Sequence, residues 1–439
     1  MKILIASTPA TGHLNPLLSI GRILLAAGHH VAVLTADVLR DRVEDIGATF
    51  YSLPPGANID LRNIEKIIPD IASFSPGPER RLVVIERFFI DVVPAQSDGL
   101  DQVFSAYQPD LILADNTFFG VFPMLLGHRS ARPPIVICGT MFLHAPRDDG
   151  APAFQGLPPA RTVEDRRLYA SLAAEQDRLV NNSALEKLNF LLSMKGSRPL
   201  PMNFHEAAVN LPELFLQMTV PGFEFPRLSL PKPVEYVGIL PIVPSQAPMP
   251  DWAGDLDGTR KVVLVTQGTL SNVDFRQLVI PTLNALADEA EIMVVVTTGG
   301  RTIDALPFPL PENARVASFL PFEWLLPMVD VFVTNGGYGS VNQALSYGIP
   351  IVGAGMTEDK GDVNARVAWS GVGINLATSE PSEQMLADAI RTVLADDVYR
   401  DRAKAISKEF AAIDTQSLIL ERLEALVNTA PARAAEERR

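Results

Sequence analysis

The chain has 439 residues, 47% of them apolar and 20% charged, which is a globular balance over a length that calls for two or three domains rather than one core. Its net charge of −14 excludes the basic face that a nucleic-acid partner needs and disfavours adhesion to anionic membranes. The single cysteine, Cys138, excludes an intramolecular disulfide, and the six histidines show no zinc-ligand spacing. The apolar start, MKILIA, is broken by Ser7 and Thr8 and is too short for a signal peptide. No apolar run reaches the ~20 residues that span a bilayer, so a cytoplasmic protein without an integral membrane segment is expected.

Lys2–Ala6 reads as a buried strand, Leu14–Ala27 as an amphipathic helix closed by Gly28, and His30–Thr35 as a second strand. Val38–Ile46 reads as a second helix and Thr49–Leu53 as a third strand. This alternation predicts an α/β fold with a mostly parallel sheet and right-handed crossovers. Its first loop, STPATGHLNP, places Gly12 and His13 at the mouth of the sheet. Residues 54–81 are loop-rich, and Leu82–Tyr107 reads as a long helix broken at Pro94. Leu111–Ala114 is a strand ending on Asp115, and Pro134–Cys138 is another that buries its thiol. Leu143–Ala160, with its prolines and glycines, reads as a mobile surface loop, and Arg161–Lys195 as a long charged helix. Leu214–Thr219 and Val234–Tyr236 are short strands.

Residues 221–252 hold eight prolines and read as a linker between a first domain, 1–220, and a second, 253–410. The second domain restarts the alternation. Strands at Lys261–Thr266, Ile292–Thr297 and Ala314–Ala317 are separated by a helix at Phe275–Ala290 and followed by a short one at Phe322–Met328. Helices at Asp362–Ser370, Ser382–Ala395 and Val398–Phe410 come after the central stretch. A C-terminal helix and tail occupy 411–439.

The central stretch is TNGGYGSVNQALSYGIPI, Thr334 to Ile351. An apolar strand, Val329–Val333, leads into Asn335, Gly336, Gly337, Tyr338, Gly339 and Ser340, and a helix follows that Gly348 closes. Glycines let a backbone approach a ligand, and a helix start attracts a phosphate. Ser340 can cap the helix or donate to the phosphate. A ligand-free strand-to-helix turn has the same local pattern. Three other loops share the setting of a strand end in a parallel sheet, where ligands bind. They are Gly12–His13, Asp115 and Gly268–Thr269. His13 suits a general base, and Asp115 suits the partner that fixes its tautomer, although a capping role serves either residue equally. Asp255–Asp257, in GDLDG, reads as a turn rather than a metal pair.

These residues resemble the UDP-glycosyltransferase superfamily, and most of all bacterial enzymes that glycosylate macrolides and other natural products. The resemblance covers nearly the whole chain. It is strongest from Phe319 to Asn375 and includes the N-terminal GHLNP. It implies two facing Rossmann-like domains, the GT-B fold, with a cleft between them. His13 then matches the base that deprotonates the acceptor, and Asp115 its acidic partner. Gly12 lies beside them on the donor-binding side. Thr269 matches a phosphate-side hydroxyl, and Phe319 and Leu320 lie where the family holds the nucleotide base, partly by main-chain hydrogen bonds. Gly336, Gly337, Tyr338, Gly339 and Ser340 match the diphosphate loop, and Asp359 and Lys360 fall where an Asp-Gln pair binds sugar hydroxyls. Three positions depart from the family: Asn335 replaces a phosphate-binding histidine, Gln343 a ribose-binding glutamate, and Lys360 a glutamine.

The resemblance implies an inverting, metal-independent hexosyltransferase that uses a UDP or TDP sugar as co-substrate and needs no cofactor. Its partners are that nucleotide sugar and an apolar small-molecule acceptor. Residues 54–81 and 142–160 are expected to line the acceptor site, with Met141, Phe142 and Leu143 in contact and Phe74, Phe88 and Phe89 as further candidates. A non-catalytic nucleotide-sugar-binding subunit and a GT-B epimerase are the alternatives.

Overall fold

The structure is a computed structural model that describes residues 1–436 apart from 62, 63, 76, 243–246, 270, 271, 307 and 308. Pro244 of the proline-rich stretch and the tail beyond Glu436 therefore lie outside the described residues.

Thirteen strands among the described residues form two parallel sheets. The first holds β1 (Lys2–Ala6), β2 (His30–Thr35), β3 (Thr49–Ser52), β4 (Leu111–Asp115), β5 (Ile135–Gly139), β6 (Leu214–Gln217) and β7 (Val234–Tyr236), in the order β3-β2-β1-β4-β5-β6-β7. The second holds β8 (Lys261–Thr266), β9 (Ile292–Thr297), β10 (Ala314–Ala317), β11 (Val331–Thr334), β12 (Ile351–Gly353) and β13 (Gly373–Asn375), in the order β10-β9-β8-β11-β12-β13. Every pairing is parallel.

Continuous apolar runs make such strands because both faces are covered. Successive side chains alternate between two cores. In β1, Leu4 and Ala6 face one cluster and Ile3 and Ile5 the other. In β8, Val262 and Leu264 face one and Val263 and Val265 the other. Cys138 sits fully buried in the first sheet, and burial pushes its thiol pKa up.

Several elements differ from expectation. Residues 221–252 are not linker throughout, because β7 pairs with β6 and extends the first sheet. The C-terminal helix Thr415–Glu436 packs back on that sheet through Ile419 and Leu423. The expected helix Leu82–Tyr107 is two helices, Pro78–Ile85 and Val93–Tyr107, joined by a π-helical turn at Glu86–Ile90. Pro94 has no N–H to continue the ladder, so the helix must restart around it. A second π turn, Asp177–Asn181, interrupts the long charged helix, and Lys187 bridges to Glu86 at 3.0 Å and Asp91 at 2.7 Å. Strand β13 and a helix at Phe204–Asn210 were not legible in the pattern.

Leu143–Ala160 is a strap rather than a mobile loop. Arg147 donates to the carbonyls of Leu157 and Pro158 at 2.6 and 2.9 Å, and the N–H of Gly156 reaches Asp362 Oδ2 in the second domain at 3.2 Å. Beneath the strap lies an ion pair between Glu224 and Arg366, 2.9 Å apart, each side chain 1% exposed. The guanidinium is held between the rings of Phe142 at 4.5 Å and Phe225 at 4.2 Å.

Arg366→Met is expected to destabilise the protein by roughly 3–5 kcal/mol in urea unfolding, because it strands a buried carboxylate. The double variant Arg366→Met/Glu224→Met is expected to recover most of that loss. A single-variant loss under about 1 kcal/mol, the scale of exposed pairs, would show that the pair is solvated.

Candidate active site

In the first sheet the strand order reverses between β1 and β4, and in the second between β8 and β11. At such a seam the two adjacent connections leave in opposite directions, which opens a crevice at the carboxyl ends. The helix that follows β1, Thr11–Ala26, carries Gly12 and His13 in its first turn, and β4 ends on Asp115. The loops after β8 and β11 carry Gly268–Thr269 and Asn335–Ser340. All four expected loops therefore sit at the two seams.

His13 lies in the first turn of helix Thr11–Ala26, which has no capping side chain. Its Nδ1 is 3.0 Å from Asp115 Oδ1, which leaves Nε2 as the nitrogen a substrate can meet. Asp115 is 1% exposed and also accepts from Thr117 Oγ1 at 2.6 Å, Thr117 N–H at 2.9 Å and Thr8 N–H at 2.6 Å. Burial by itself would raise the Asp115 pKa, but His13 and these donors hold it below its ordinary value. Burial would likewise lower His13, yet the charge and hydrogen bond of Asp115 raise it above its ordinary value. Asp359 and Glu358 of the second domain add to the field that raises it. The second domain thus lies within electrostatic reach of His13.

In the second domain the helix Tyr338–Ser346 begins without a capping side chain. Gly336 has φ +99°, and a Cβ there would lie 2.6 Å from the side chain of Asn364, so only glycine fits. Gly339 has no such constraint; it is exposed and a Cβ there would face open space. Gly339 therefore leaves open space at the helix start and needs no unusual backbone angle. Gly337 lies beside Ser340, whose hydroxyl donates back to the Gly337 carbonyl at 2.9 Å instead of capping the helix. Gln343 is half-buried, one turn beyond Gly339 on the same helix face. Thr269 is exposed beside Gly268. Phe319 is 56% exposed with its ring over Gly300, which presents a face for stacking. Asp359 is half-buried, and burial, with Glu358 adding, pushes its pKa up to about 6 against the pull of Lys360. Lys360 is buried and paired with Glu358.

Three expected contacts, Phe142, Tyr338 and Asn335, are placed differently. Phe142 is 3% exposed and packs between the domains against Arg366, which leaves it little surface for an acceptor. The Tyr338 ring is 4% exposed and turns into the domain interface, where its hydroxyl meets Gln217, so only its backbone belongs to the face of the glycine loop. Leu320 is 5% exposed in the core of the second domain, which is compatible with the main-chain contact that the resemblance implies there. The amide of Asn335 donates to the Gln267 carbonyl at 2.8 Å and braces β11 against β8. Met141 is half-buried at the start of the strap, and Phe88 and Phe89 are half-buried with their rings edge to face. In the Asp255–Asp257 turn, Asp255 pairs with Arg315, and Asp257 accepts from Thr259 N–H and Oγ1.

Residues that sequence reasoning missed complete the network. Thr140 Oγ1 lies 3.1 Å from His13 Nδ1, and its hydroxyl and N–H both bond Asn116 Oδ1. Thr117 Oγ1 lies 3.2 Å from the same nitrogen. The run ADNT, Ala114 to Thr117, at the end of β4 carries three of these polar groups in sequence, which was the available signal. Asn272, 1% exposed, ties Gly268 to Thr298 through their carbonyls and holds Arg301 Nε at 2.9 Å.

A protein-family profile described as "Erythromycin biosynthesis protein CIII-like, C-terminal domain" matches residues 281–426. The chain is 36% identical to UDP-glycosyltransferase 2 of Phaeomoniella chlamydospora, across 97% of this chain and 95% of that protein. It is 34% identical to 4'-demethylrebeccamycin synthase of Lentzea aerocolonigenes, across 97% of this chain and 99% of that protein. In three dimensions it resembles the glycotransferase of kitacinnamycin, with a TM-score of 0.73 at 20% identity over 97% of this chain and 99% of the other. That last likeness speaks for the fold. Among the described residues no helix is long and apolar enough to cross a membrane.

The dyad makes a pH prediction. The raised His13 pKa contributes stability that is fully present below its unfolded value near 6.5 and is lost as pH rises through the folded value. The depressed Asp115 pKa contributes stability present above its unfolded value near 3.8 and lost as pH falls through the folded value. By NMR, the His13 ring is expected to titrate above 6.5, and Asp115→Asn to move that midpoint down. A midpoint unmoved by the substitution would mean that Asp115 does not set the charge of His13.

Proposed function

The chain belongs to the UDP-glycosyltransferase superfamily, with the GT-B fold of its natural-product glycosyltransferases, and from that premise we propose an inverting transfer of a sugar from a nucleoside diphosphate sugar to a hydroxyl of an apolar small molecule. The observation that carries the reading is the His13–Asp115 dyad at one seam, with an uncapped helix start and its glycine loop at the other.

On this reading His13 Nε2 takes the acceptor proton as the oxygen forms its bond to the anomeric carbon. Asp115 holds the Nδ1 tautomer and stabilises the imidazolium. The bond from the anomeric carbon to the diphosphate oxygen breaks, and its electron pair leaves with the diphosphate. N–H groups at the helix start and the Thr269 hydroxyl meet that growing charge, so the nucleotide sugar is a co-substrate and neither a metal nor a resident cofactor is required. Attack from the face opposite the diphosphate inverts the anomeric centre. Phe319 offers a stacking face to the base, Gln343 meets the pentose, and Asp359 with Lys360 meets sugar hydroxyls. The acceptor lies against the first domain near Met141. The relatives named as transferase and synthase favour neither the binding subunit nor the epimerase.

Mass spectrometry of reactions with UDP and TDP sugars and a panel of apolar hydroxylated acceptors tests the reading. His13→Ala is expected to lower transfer by about 10²–10⁴ with nucleotide affinity nearly unchanged. Full transfer by that variant would remove His13 from the mechanism.

The nucleotide preference follows from Gln343. A carboxylate accepts hydrogen bonds from both ribose hydroxyls, whereas the amide offers one acceptor and no charge. Bonds to charged groups are worth roughly 1.5–3 kcal/mol against about 1 for neutral ones. TDP is therefore expected to bind comparably to UDP, and Gln343→Glu to shift the ratio toward UDP. Calorimetric competition decides: a strong UDP preference in the wild type, unmoved by Gln343→Glu, would refute the role given to Gln343.

A further inference from the structure

The glycine loop is tied to the first domain through Tyr338, and the tie ends beside the base. Gln217, at the end of β6 and fully buried, donates from Nε2 to Tyr338 Oη at 2.6 Å and to the Met141 carbonyl at 2.9 Å. Both hydrogens of that amide are thereby used, one on each domain. Met141 follows Thr140, whose hydroxyl touches both Asn116 and the ring of His13. A second strut runs alongside: Thr219 Oγ1 donates to Asn342 Oδ1 at 2.5 Å, and Asn342 Nδ2 donates to the Tyr338 carbonyl at 2.9 Å. Glu224 Oε1 lies 3.5 Å from Tyr338 Oη and accepts from the Leu143 N–H at 3.2 Å.

The arrangement has a cost. Gln217 Oε1 is buried without a partner among the described residues. An unsatisfied buried acceptor costs roughly 1–3 kcal/mol. An apolar side chain in place of Gln217 would avoid that cost, but it would not join the two backbones.

We propose that Tyr338 and Gln217 are a positioning pair that sets the spacing between the diphosphate loop and His13. The proposal rests on the transferase reading of the cleft. In-line attack needs the acceptor oxygen, held by His13, within about 3–3.5 Å of an anomeric carbon held by the other domain. Loss of the tie leaves each half-site intact and loosens their register. Hydrolysis, in which a small water molecule attacks, tolerates that loosening better than transfer to a bulky acceptor.

The test uses the full chain with Tyr338→Phe, which keeps the ring and removes the hydroxyl, and Gln217→Met, which keeps the length and removes both donors. Each is expected to lower kcat for transfer about tenfold or more, leave nucleotide Kd within about twofold, and raise the ratio of donor hydrolysis to transfer. The double variant is expected to be no worse than the more impaired single one, since both cut one linkage. Spin labels on Arg22→Cys and Val398→Cys, both exposed positions on opposite domains, read the spacing directly, because buried Cys138 stays unlabelled. Their distance distribution is expected to broaden in both variants. An unchanged distribution overturns the inference whatever the activity, as does a loss in which transfer, hydrolysis and nucleotide affinity fall together. A wild type that transfers to no acceptor in the panel, yet shows the broadening, overturns the transferase reading alone.

Discussion

The reversal of strand order at one seam in each sheet is the constraint on which the site depends. Between β1 and β4, and again between β8 and β11, neighbouring crossovers diverge and leave backbone ends uncovered. Those ends are where His13, Asp115, Gly268 and the glycine loop emerge. Nothing about these residues alone brings them together, since His13 and Asp115 are far apart in the chain. The β1–β4 pairing does, because Ala6 lies opposite Ala114 and the two loops must then leave side by side. The same register in the second sheet sets Thr266 opposite Thr334.

Much of this was legible because parallel strands are buried on both faces. Their apolar runs stand out without side-chain detail, and the strands β1, β2, β4, β8, β9 and β10 lie within a residue or so of the positions read from sequence. The loops after them could be placed for the same reason. The dyad was legible as two residue types at two strand ends. Its supporting hydroxyls, Thr8, Thr117 and Thr140, were not, because a threonine near a strand end has many ordinary uses and only the fold shows which ones converge.

Illegible features share another cause: they depend on contacts between distant segments. Phe142 reads as an exposed aromatic on a loop rich in proline, yet it is buried because Arg366 from the other domain lies on its face. Tyr338 sits inside a ligand-binding motif, and its direction is decided by Gln217 across the interface. The proline-rich stretch reads as a linker because proline is a poor strand former, but β7 needs only the three proline-free residues Val234–Tyr236 at the sheet edge. The π turns at Glu86–Ile90 and Asp177–Asn181 leave no sequence mark beyond ordinary helix formers; tertiary packing sets the first against helix Asn182–Met194 and the second against helix Pro78–Ile85.

The loss of a cation from the glycine loop takes on a structural sense in this light. A histidine at position 335 could carry a charge into the loop, whereas Asn335 spends its amide on the Gln267 carbonyl and its main-chain carbonyl on Asn364. Asn364 is fully buried, bonds the Gly355 carbonyl at 3.1 Å, and fills the space that a side chain at Gly336 would need. The loop is therefore neutral and rigid. On the proposed reading, the long-range field of a chain of net charge −14 opposes an anionic donor, so local dipoles must do what charge does not. Fixed N–H groups at a helix start suit that task, because they are oriented before the charge develops and need no reorganisation when it does. The same rigidity makes the spacing between loop and base matter more, since a loop that cannot adapt must be placed correctly by the interface that carries it.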